Sequence, residues 1–455
     1  MMQTMTLSAV ALACKTEWSG KDVCFSGVCT DSRKVKSGDL FVVLRGERFD
    51  AHDFLPAVEQ SGAVAALVEN PNTAVPMSQL KVKDTVHALG KVAELNRALF
   101  KGKIVGLTGS AGKTTTKEMI SAILSQHHCP LVTVGNLNNH IGVPLTLLGL
   151  SPENDMAVIE MGASALGEIR YLTRIVRPDV ALITTVAAAH IEGFGSIENV
   201  ARGKKEIFEG LSEGGTAVIN LDNAWTSENA AELRDRFNVL TYSIDGIADV
   251  YASDIRQTID GMSFVLNVAD ESQSVTLSFL GRHNVGNALA AAACCMAAGI
   301  SFNDIVSGLQ IARPYKGRLQ SKRGVNGCLV IDDSYNANPA SVRMAIDALL
   351  ACDGEKILVL GDMGELGMNA RSMHADIGMY AKKSGIEHFL VTGELSVAAA
   401  ESFGSGAKKF DSWESLANYC LEEANENSVF LIKGSRSAGM DRVADVLVGS
   451  GRAPC

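Results

Sequence analysis

The chain has 455 residues, of which 47% are hydrophobic and 20% are charged, and its formal net charge is −10. This length predicts about three domains, because a single hydrophobic core rarely serves so long a chain. The acidic balance, without any lysine- or arginine-rich run, argues against nucleic acid or an anionic membrane as a partner. No segment has the apolar length of a membrane span. Ten cysteines without a CxxC pair favour reduced thiols, so we expect a cytoplasmic protein.

Residues 1–82 are predicted to form a small mixed α/β domain. Leu40–Leu44 and Ala63–Val68 have strand patterns, and Phe54–Gln60 has a helical pattern. The polar run Asp31–Arg33 lies before the first of these strands. From local chemistry alone, this run is expected to cap a turn and to pair with its neighbours.

The central region, residues 83–312, alternates apolar runs with helical patterns, which is typical of a doubly wound α/β sheet. The predicted strands are Ile104–Leu107, Leu131–Val134, Ala157–Glu160, Val180–Thr185 and Ala217–Asn220. An alanine-rich helix is predicted over Asn284–Gly299, where the glycine ends it. Polar residues follow several of these strands, and ligands of open parallel sheets bind beyond the carboxyl ends of strands.

The first central strand runs into a glycine-rich turn and then a helix. Small residues let backbone N–H groups converge on a phosphate, and the helix N-terminus adds its positive dipole end. Lys113 can neutralise the outer phosphates, and the Thr114 hydroxyl can bind Mg²⁺. The usual first glycine of such a loop would fall at Leu107, so a turn without a ligand is the alternative. The predicted ATP-binding residues here are Thr108, Gly109, Ser110, Ala111, Gly112, Lys113, Thr114 and Thr115.

Three other central segments carry candidate chemistry. Glu160 ends a strand and is placed like the acidic magnesium ligand of other phosphate-loop enzymes, although it could also cap the next turn. His190 follows another strand, and its position leaves structural and catalytic roles equally open. The loop Gly135–Pro144 is rich in amides, which offer donors and acceptors without charge. The run Ala201–Phe208 has the pattern of a helix with a basic, solvated face.

Residues 313–455 are predicted to form a Rossmann-like α/β domain. The predicted strands are Cys328–Ile331, Ile357–Leu360, Phe389–Thr392 and Val429–Ile432. Apolar residues at helical spacing from Val342 to Leu350 indicate a helix. No GxGxxG turn is present, so a dinucleotide is not indicated. Asp333 could bond a ribose and Arg318 could contact a phosphate at the domain junction, although each could lie in an ordinary turn.

Several motifs, in this order, resemble those of the Mur ligases of peptidoglycan synthesis, and the match runs over nearly the whole chain. They are Thr-Gly-Ser-Ala-Gly-Lys-Thr-Thr, the amide-rich loop, Glu-Met-Gly, Ala-His-Ile-Glu-Gly-Phe-Gly, Gly-Arg-His-Asn-Val-Gly-Asn and Gly-Arg. Within that family, Asp-Ser-Tyr-Asn-Ala-Asn-Pro and Gly-Asp-Met-Gly-Glu-Leu-Gly resemble the members that use D-alanyl-D-alanine. The Asp-Asn-Pro-Arg motif usual in the relatives that add the third peptide residue is absent.

The resemblance implies an ATP-dependent amide-bond ligase that adds D-alanyl-D-alanine to UDP-N-acetylmuramoyl-tripeptide through an acyl phosphate. It implies that Lys204 reacts with CO₂ to form a carbamate, with the adjacent Lys205 as the alternative. The implied magnesium ligands are Thr114, Glu160, His190 and carbamylated Lys204. The implied catalytic residues are Lys113, Glu160, His190 and Lys204. A monomer is expected.

The resemblance also assigns the remaining ligand contacts. Asn287 would hold the adenine, Asp333 the ribose and Arg318 the outer phosphate. The implied residues for the UDP-linked substrate are Asp31, Ser32, Arg33, Gly46 with the segment up to His52, Asn136, Asn138 and Asn139. His140 stands where an acidic residue is usual in the family.

Two other functions stay open at this point. One is a different ligase, either another Mur-type enzyme or one of the folylpolyglutamate type, although the N-terminal Asp-Ser-Arg run argues against the latter. The other is a nucleotide switch or binding module without ligase activity. A GTPase switch would need an Asn-Lys-x-Asp motif, which the sequence lacks.

Overall fold

A computed structural model describes residues 2–18, 21–46, 49–258 and 261–450. Three mainly parallel sheets follow one another along the chain, each with its own helices. This architecture confirms the predicted α/β class with three domains. The exact boundaries, at 82/83 and 312/313, stay a prediction. No helix of the described residues is long and apolar enough to cross a membrane.

The N-terminal domain is built on four parallel strands. In spatial order they are Gly27–Cys29, Asp39–Val42, Ala65–Val68 and Ser78–Lys81. Its helices are Leu7–Ala13 and Leu55–Gln60, the second preceded by a 3₁₀ turn over Ala51–Phe54. Two short antiparallel ladders pair Met5–Thr6 with Cys24–Phe25 and Arg45–Gly46 with Phe49–Asp50. Both predicted strands and the predicted helix are present, with ends shifted by no more than two residues.

The helix Thr85–Leu99 joins the N-terminal and central domains. Asp84 caps its first turn by accepting the N–H groups of Val86 and His87. Its apolar face belongs to one continuous hydrophobic cluster that also contains Leu40 of the first sheet and Ile104 of the second. The two domains therefore share a core along this helix.

The central sheet has nine strands within the described residues. In spatial order they are Pro130–Val132, Met156–Glu160, Lys103–Thr108, Val180–Ile183, Thr216–Asn220, Asn238–Ser243, Val250–Thr258, Gly261–Val268 and Glu271–Leu277. Pairing is parallel as far as Val250–Thr258, and the last two pairings are antiparallel. Its helices are Lys113–Leu124, Gly142–Leu147, Glu168–Val176, Ile191–Phe194, Ile197–Lys205, Ala224–Ser227, Ala230–Arg234, Arg282–Ala298 and Phe302–Ile311.

The five predicted central strands are confirmed, again to within two residues at each end. Successive residues of these strands face opposite sides of the sheet, so Ile104 and Val105 pack into different hydrophobic clusters. The antiparallel ribbon after residue 250 was not predicted. Polar residues interrupt its strands, and the four residues Glu271–Ser274 are all polar and exposed, so no long apolar run indicates the ribbon.

The C-terminal domain has a six-stranded sheet. In spatial order its strands are Gln320–Arg323, Leu329–Asp333, Ser428–Lys433, Glu355–Leu360, His388–Thr392 and Ala407–Phe410. Only the first pairing is antiparallel. Its helices are Pro339–Leu350, Ala370–Lys383, Ser396–Phe403, Trp413–Glu423 and Asp441–Leu447. The four predicted strands and the helix over Val342 to Leu350 are confirmed, whereas the two edge strands, which are polar, were not predicted.

Arg97 fastens the joining helix to the central domain. Its guanidinium is buried and donates to the carbonyl of Val176 at 2.7 Å and to that of Arg177 at 2.8 Å. We expect Arg97→Met to lower the free energy of unfolding by about 2–3 kcal/mol, because these carbonyls lose charged donors. Urea unfolding measures this, and the mostly exposed Arg174→Met serves as the control, expected within about 0.5 kcal/mol of the wild type. Equal effects of the two variants would contradict the fastening role.

Candidate active site

The carboxyl ends of the central strands open into a cavity of 1040 Å³ that the central and C-terminal domains share. Its central-domain wall comes from segments 110–115, 135–140 and 160–172 and from His190. Its C-terminal wall comes from segments 315–318 and 334–341 and from Glu365, Arg436 and Asp441. The cavity lies where ligands bind in open parallel sheets.

The phosphate loop forms the floor of this cavity. Gly109 has φ +152° and Gly112 has φ +81°, and a Cβ at these positions would lie 2.0 Å from Thr184 Oγ1 and 2.4 Å from Asn287 Oδ1. Both positions therefore require glycine. Leu107 is buried within the strand that precedes the loop, so the absence of a glycine there is accommodated.

Lys113 begins the helix after the loop, and its ammonium donates to the carbonyl of Gly109 at 2.6 Å. Burial lowers the pKa of Lys113, and the carboxylate of Glu160 acts in the opposite direction. The ammonium thus lies over the loop whose N–H groups would hold phosphates. Thr114 is the next residue of the helix and is buried beside the cavity.

Glu160 lies at the end of the neighbouring strand and is only 2% exposed. Its Oε1 accepts from the amide of Asn138 at 2.8 Å, whereas its Oε2 has no hydrogen-bond partner. A buried carboxylate oxygen without a partner is costly unless a ligand satisfies it.

The two adjacent lysines of helix Ile197–Lys205 have opposite environments. Lys204 is 1% exposed, with its ammonium 5.5 Å from the ring centre of Phe194. Burial, and then the positive charge of Lys113, lower the pKa of Lys204 to about 7. Lys205 has a partly exposed side chain that pairs with Glu232 at 2.5 Å. A lysine with a pKa near 7 holds much of its amine neutral, and only the neutral amine can react with CO₂.

His190 and Glu365 meet across the junction of the central and C-terminal domains. The imidazole Nδ1 lies against the Glu365 carboxylate, yet no hydrogen bond of good geometry forms there. Both residues have left-handed backbones, with φ +53° and φ +60°. Burial lowers the pKa of His190, and Glu365 opposes that effect. The contact brings the C-terminal domain onto the nucleotide side of the cavity.

His374 anchors the loop that carries Glu365. This imidazole is fully buried, accepts the N–H of Met363 at 2.9 Å through Nε2, and bonds the carbonyl of Ala370 through Nδ1 at 2.7 Å. Nε2 can accept only when the ring is neutral. Burial accordingly lowers the pKa of His374.

The stability of the protein is therefore expected to depend on the protonation of His374. An unfolded chain binds this proton near pH 6.5 and the folded protein only at lower pH, so stability is lost as the pH falls below about 6.5. We expect the urea midpoint of the wild type to fall more steeply than that of His374→Leu between about pH 8 and about pH 5. Parallel curves would contradict this assignment.

Arg318 enters the cavity from the segment that links the two domains. Its guanidinium lies 4.2 Å from the ring centre of Tyr335, and its Nε is buried without a partner. Asp333 accepts the N–H of Leu319 at 3.1 Å, and its other oxygen accepts from Lys433 at 2.6 Å. Arg318 is thus held to the C-terminal domain and would move with it.

Not every predicted site residue lies at this cavity. Asp333 is engaged by Lys433 and by the backbone of Leu319, so its oxygens do not line it. Asn287 packs against the phosphate loop, bonds Asn284 at 2.8 Å, and is also outside the lining. Their ribose and adenine roles stay predictions.

The predicted N-terminal residues lie apart from the cavity as well. The Asp31 carboxylate accepts from the guanidinium of Arg33 at 2.9 Å in an exposed turn, as local chemistry predicted. Neither these residues, nor Ser32, nor Gly46 line the cavity, and Glu47 and Arg48 lie outside the described residues. Asn136, Asn138, Asn139 and His140 do line it, on the central-domain side.

Sequence reasoning missed the individual roles of Tyr335, Glu365 and Lys433. The first two lie within motifs that carried the family resemblance, which is the signal that could have found them. What their side chains contact depends on how the domains meet, and no local pattern reports that. Lys433 ends a strand next to Asp333, and only the sheet order places them together.

The polar side chains around the cavity fit a magnesium nucleotide. Glu160 Oε2, His190 Nδ1 and Arg318 Nε are buried without a hydrogen-bond partner, and the two glycines leave a cradle that a Cβ would fill. Carboxylate and hydroxyl oxygens suit Mg²⁺, and a guanidinium suits phosphate. Among the described residues, no group of three or more His, Cys, Asp or Glu could hold a metal ion. A magnesium site here would therefore need other donors, such as Thr114, in addition.

Comparison with known families agrees with this geometry. The protein-family model described as Mur ligase middle domain matches residues 107–295. The family model described as Mur ligase, glutamate ligase domain, matches residues 317–436. A third, described as Mur ligase family, catalytic domain, matches residues 25–97. The chain belongs to the Mur ligase family. It is an ATP-dependent ligase of peptidoglycan precursor synthesis.

Two Mur ligases illustrate the similarity in sequence. The UDP-N-acetylmuramoyl-tripeptide–D-alanyl-D-alanine ligase of Escherichia coli K12 is 42% identical over 455 residues, covering 99% of this chain and 100% of that protein. The enzyme of the same name from Bacillus subtilis is 34% identical, and the match covers 93% of each chain.

Solved Mur ligase structures share the fold. MurF from Acinetobacter baumannii aligns with a TM-score of 0.91 at 37% identity, covering 98% of this chain and 99% of that one. MurF from Thermotoga maritima, in complex with ADP, aligns with a TM-score of 0.85 at 28% identity, covering 93% and 97%. A Mycobacterium tuberculosis folylpolyglutamate synthase aligns at 0.65 with 18% identity over 81% of this chain and 95% of that one, which is a likeness of fold alone.

Proposed function

We propose that this Mur ligase joins D-alanyl-D-alanine to UDP-N-acetylmuramoyl-tripeptide and forms a UDP-linked pentapeptide. The choice of substrates is supported by relatives that carry this activity in their names and match the chain over nearly its full length. The chemistry is supported by one observation above the others. Lys113, Glu160 and Arg318, which come from separate segments and two domains, meet around one cavity. Lys204 lies outside the lining of that cavity, but burial and then the charge of Lys113 lower its pKa.

The residues on the cavity walls would have separate roles in phosphoryl transfer. The N–H groups of the phosphate loop and Lys113 would hold the phosphates, and Arg318 would approach the outer phosphate from the C-terminal domain. As the tripeptide carboxylate attacks the γ-phosphorus, ADP leaves and an acyl phosphate forms. Lys113 and Arg318 would offset the charge that develops on the transferred phosphate.

Amide formation would follow in the same cavity. The amine of D-alanyl-D-alanine attacks the acyl carbon and loses a proton, and phosphate leaves with the former carboxylate oxygen. Contact between His190 and Glu365 keeps the C-terminal domain over the cavity. Such closure excludes water that would otherwise hydrolyse the acyl phosphate.

Magnesium and a lysine carbamate complete the proposed site. Thr114, Glu160, His190 and carbamylated Lys204 would hold Mg²⁺, which supplies positive charge to the phosphate oxygens. An ammonium cannot bind a cation, whereas an anionic carbamate can, and burial of Lys204 favours its neutral, reactive amine. Cytoplasmic location and a monomeric state remain predictions from the sequence.

Product analysis tests the substrate assignment. The purified protein is incubated with Mg·ATP and UDP-N-acetylmuramoyl-tripeptide ending in diaminopimelate or in lysine, together with D-alanyl-D-alanine or with single amino acids. We expect mass spectrometry to find a UDP-linked pentapeptide only with the dipeptide. A product formed with a single amino acid, and none with the dipeptide, would overturn the substrate assignment while leaving the family unchanged.

A further inference from the structure

The amide of Asn138 has a partner other than substrate. Its Nδ2 donates to Glu160 Oε1 at 2.8 Å, and the side chain of Glu160 is almost completely buried. Because this bond holds one carboxylate oxygen, it also fixes the direction in which the unpartnered Oε2 points. The donor is neutral, so it restrains the carboxylate without cancelling the negative charge that a cation would need.

Backbone contacts hold Asn138 itself in place. Its carbonyl accepts the N–H of Gly162 at 2.8 Å, which pins the amide-rich loop to the turn after Glu160. A Cβ on Gly162 would lie 2.8 Å from Asn138 Oδ1, so the close approach depends on glycine. The N–H of Met161 in turn bonds the carbonyl of Leu107, in the strand that leads to the phosphate loop.

The backbone of Glu160 is fixed from the other side. Its N–H donates to Thr133 Oγ1 at 3.0 Å, and the carbonyl of Thr133 accepts from the fully buried ammonium of Lys117 at 2.7 Å. Lys117 lies on the helix that follows the phosphate loop. Glu160 is therefore tied through Thr133 to the element that would carry the phosphates.

The side chain of the neighbouring Asn139 bonds backbone N–H groups and not Glu160. Its Oδ1 accepts the N–H groups of Gly142 at 2.9 Å and Ile141 at 3.2 Å, at the start of helix Gly142–Leu147. It makes no hydrogen bond to Glu160. The contact with the carboxylate thus belongs to Asn138 and is not shared by the next amide in the loop.

We propose that Asn138 is a positioning residue that aims the Glu160 carboxylate at the magnesium of the nucleotide, instead of a substrate-binding residue. This inference rests on the proposed function, in which Glu160 is a magnesium ligand. Residues that orient a metal ligand typically change metal affinity by about 10–100-fold when they are replaced.

Binding of Mn²⁺ in place of Mg²⁺ tests the inference without turnover. The full-length protein is saturated with a non-hydrolysable ATP analogue, and bound Mn²⁺ is followed by electron paramagnetic resonance. We expect Asn138→Leu, which keeps the volume and removes the donor, to raise the Mn²⁺ dissociation constant by about 10–100-fold. The KM for the UDP-linked tripeptide at saturating Mg²⁺ should stay at the wild-type value.

Three further variants make the result decisive. Asn154→Ala, an amide of the same domain that bonds the carbonyl of Cys129 and lies away from the cavity, should bind Mn²⁺ like the wild type. Thr133→Val removes the acceptor of the Glu160 N–H and should also weaken Mn²⁺ binding. This variant serves as the second test of carboxylate positioning if Asn138→Leu does not fold. Glu160→Gln should weaken it most.

Two outcomes would overturn the inference, and they are distinguishable. If Glu160→Gln loses Mn²⁺ affinity while Asn138→Leu keeps it and raises the KM for the tripeptide, Asn138 binds substrate and the ligand role of Glu160 stands. If both variants keep wild-type affinity, the ligand role proposed for Glu160 is wrong as well.

Discussion

Lys113→Ala is expected to lower kcat by about 10³-fold or more, because its ammonium supplies positive charge where charge develops during phosphoryl transfer. The ammonium lies over the phosphate loop, bonded to the carbonyl of Gly109. Burial disfavours the charged form of Lys113, so the melting temperature of the variant should not be lower than that of the wild type. Steady-state release of phosphate and a thermal melt measure the two effects.

Lys103→Ala is the matched control for this variant. Lys103 begins the strand that leads into the phosphate loop, at the end of that strand away from the loop, and bonds the carbonyl of Ala298 at 3.0 Å. It should leave kcat near the wild-type value. Near-normal turnover by a folded Lys113→Ala protein would contradict the assignment of the phosphate loop as the ATP site.

Lys204→Ala should lower activity by at least about 10²-fold, because a carbamate ligand would be lost. A short carboxylate such as formate or acetate, added to the assay, should restore part of that activity, since it can occupy the space of the carbamate and carry its charge. Activity is measured against carboxylate concentration at fixed ionic strength, with chloride as the reference salt.

Lys205→Ala separates the two adjacent lysines. The Lys205 side chain is partly exposed and pairs with Glu232, so its removal should leave activity near the wild-type value. Added formate or acetate should then not change the activity of the variant. A folded Lys204→Ala enzyme that no carboxylate rescues would count against the carbamate. Loss of activity in Lys205→Ala, with rescue there, would assign the carbamate to the other lysine.

Much of the fold could be predicted, because buried parallel strands are continuous apolar runs. Ile104–Leu107 and Val429–Ile432 are recognisable without any tertiary information, and their helices show the period of an amphipathic face. The ribbon of Val250–Thr258 and Gly261–Val268 could not be predicted in this way. Polar residues interrupt the apolar ones in Val250–Thr258, and its pairing with Gly261–Val268 is decided by contacts that a local pattern does not record.

Some residues of the candidate site could likewise be predicted from local spacing, and others could not because tertiary contacts decide their environment. The glycines, Lys113 and Thr114 of the phosphate loop lie within a few consecutive residues, so their spacing predicts them. The environments of Lys204 and Lys205 are decided by which side of one helix packs into the protein, so one lysine is buried and the next is partly exposed. The strand-end position of Asp333 predicts a ribose contact, which stays a prediction, whereas no local pattern predicted that the neighbouring strand supplies Lys433 as a partner of this carboxylate.

The central claim is that ATP activates the tripeptide carboxylate within this cavity before the dipeptide attacks. The most direct test uses UDP-N-acetylmuramoyl-tripeptide with ¹⁸O in its terminal carboxylate and follows the phosphate that is released from Mg·ATP. An acyl phosphate transfers one carboxylate oxygen to phosphorus, so phosphate should appear only with both substrates present and should carry one ¹⁸O atom. Unlabelled phosphate, or phosphate released without the two substrates, would contradict the account.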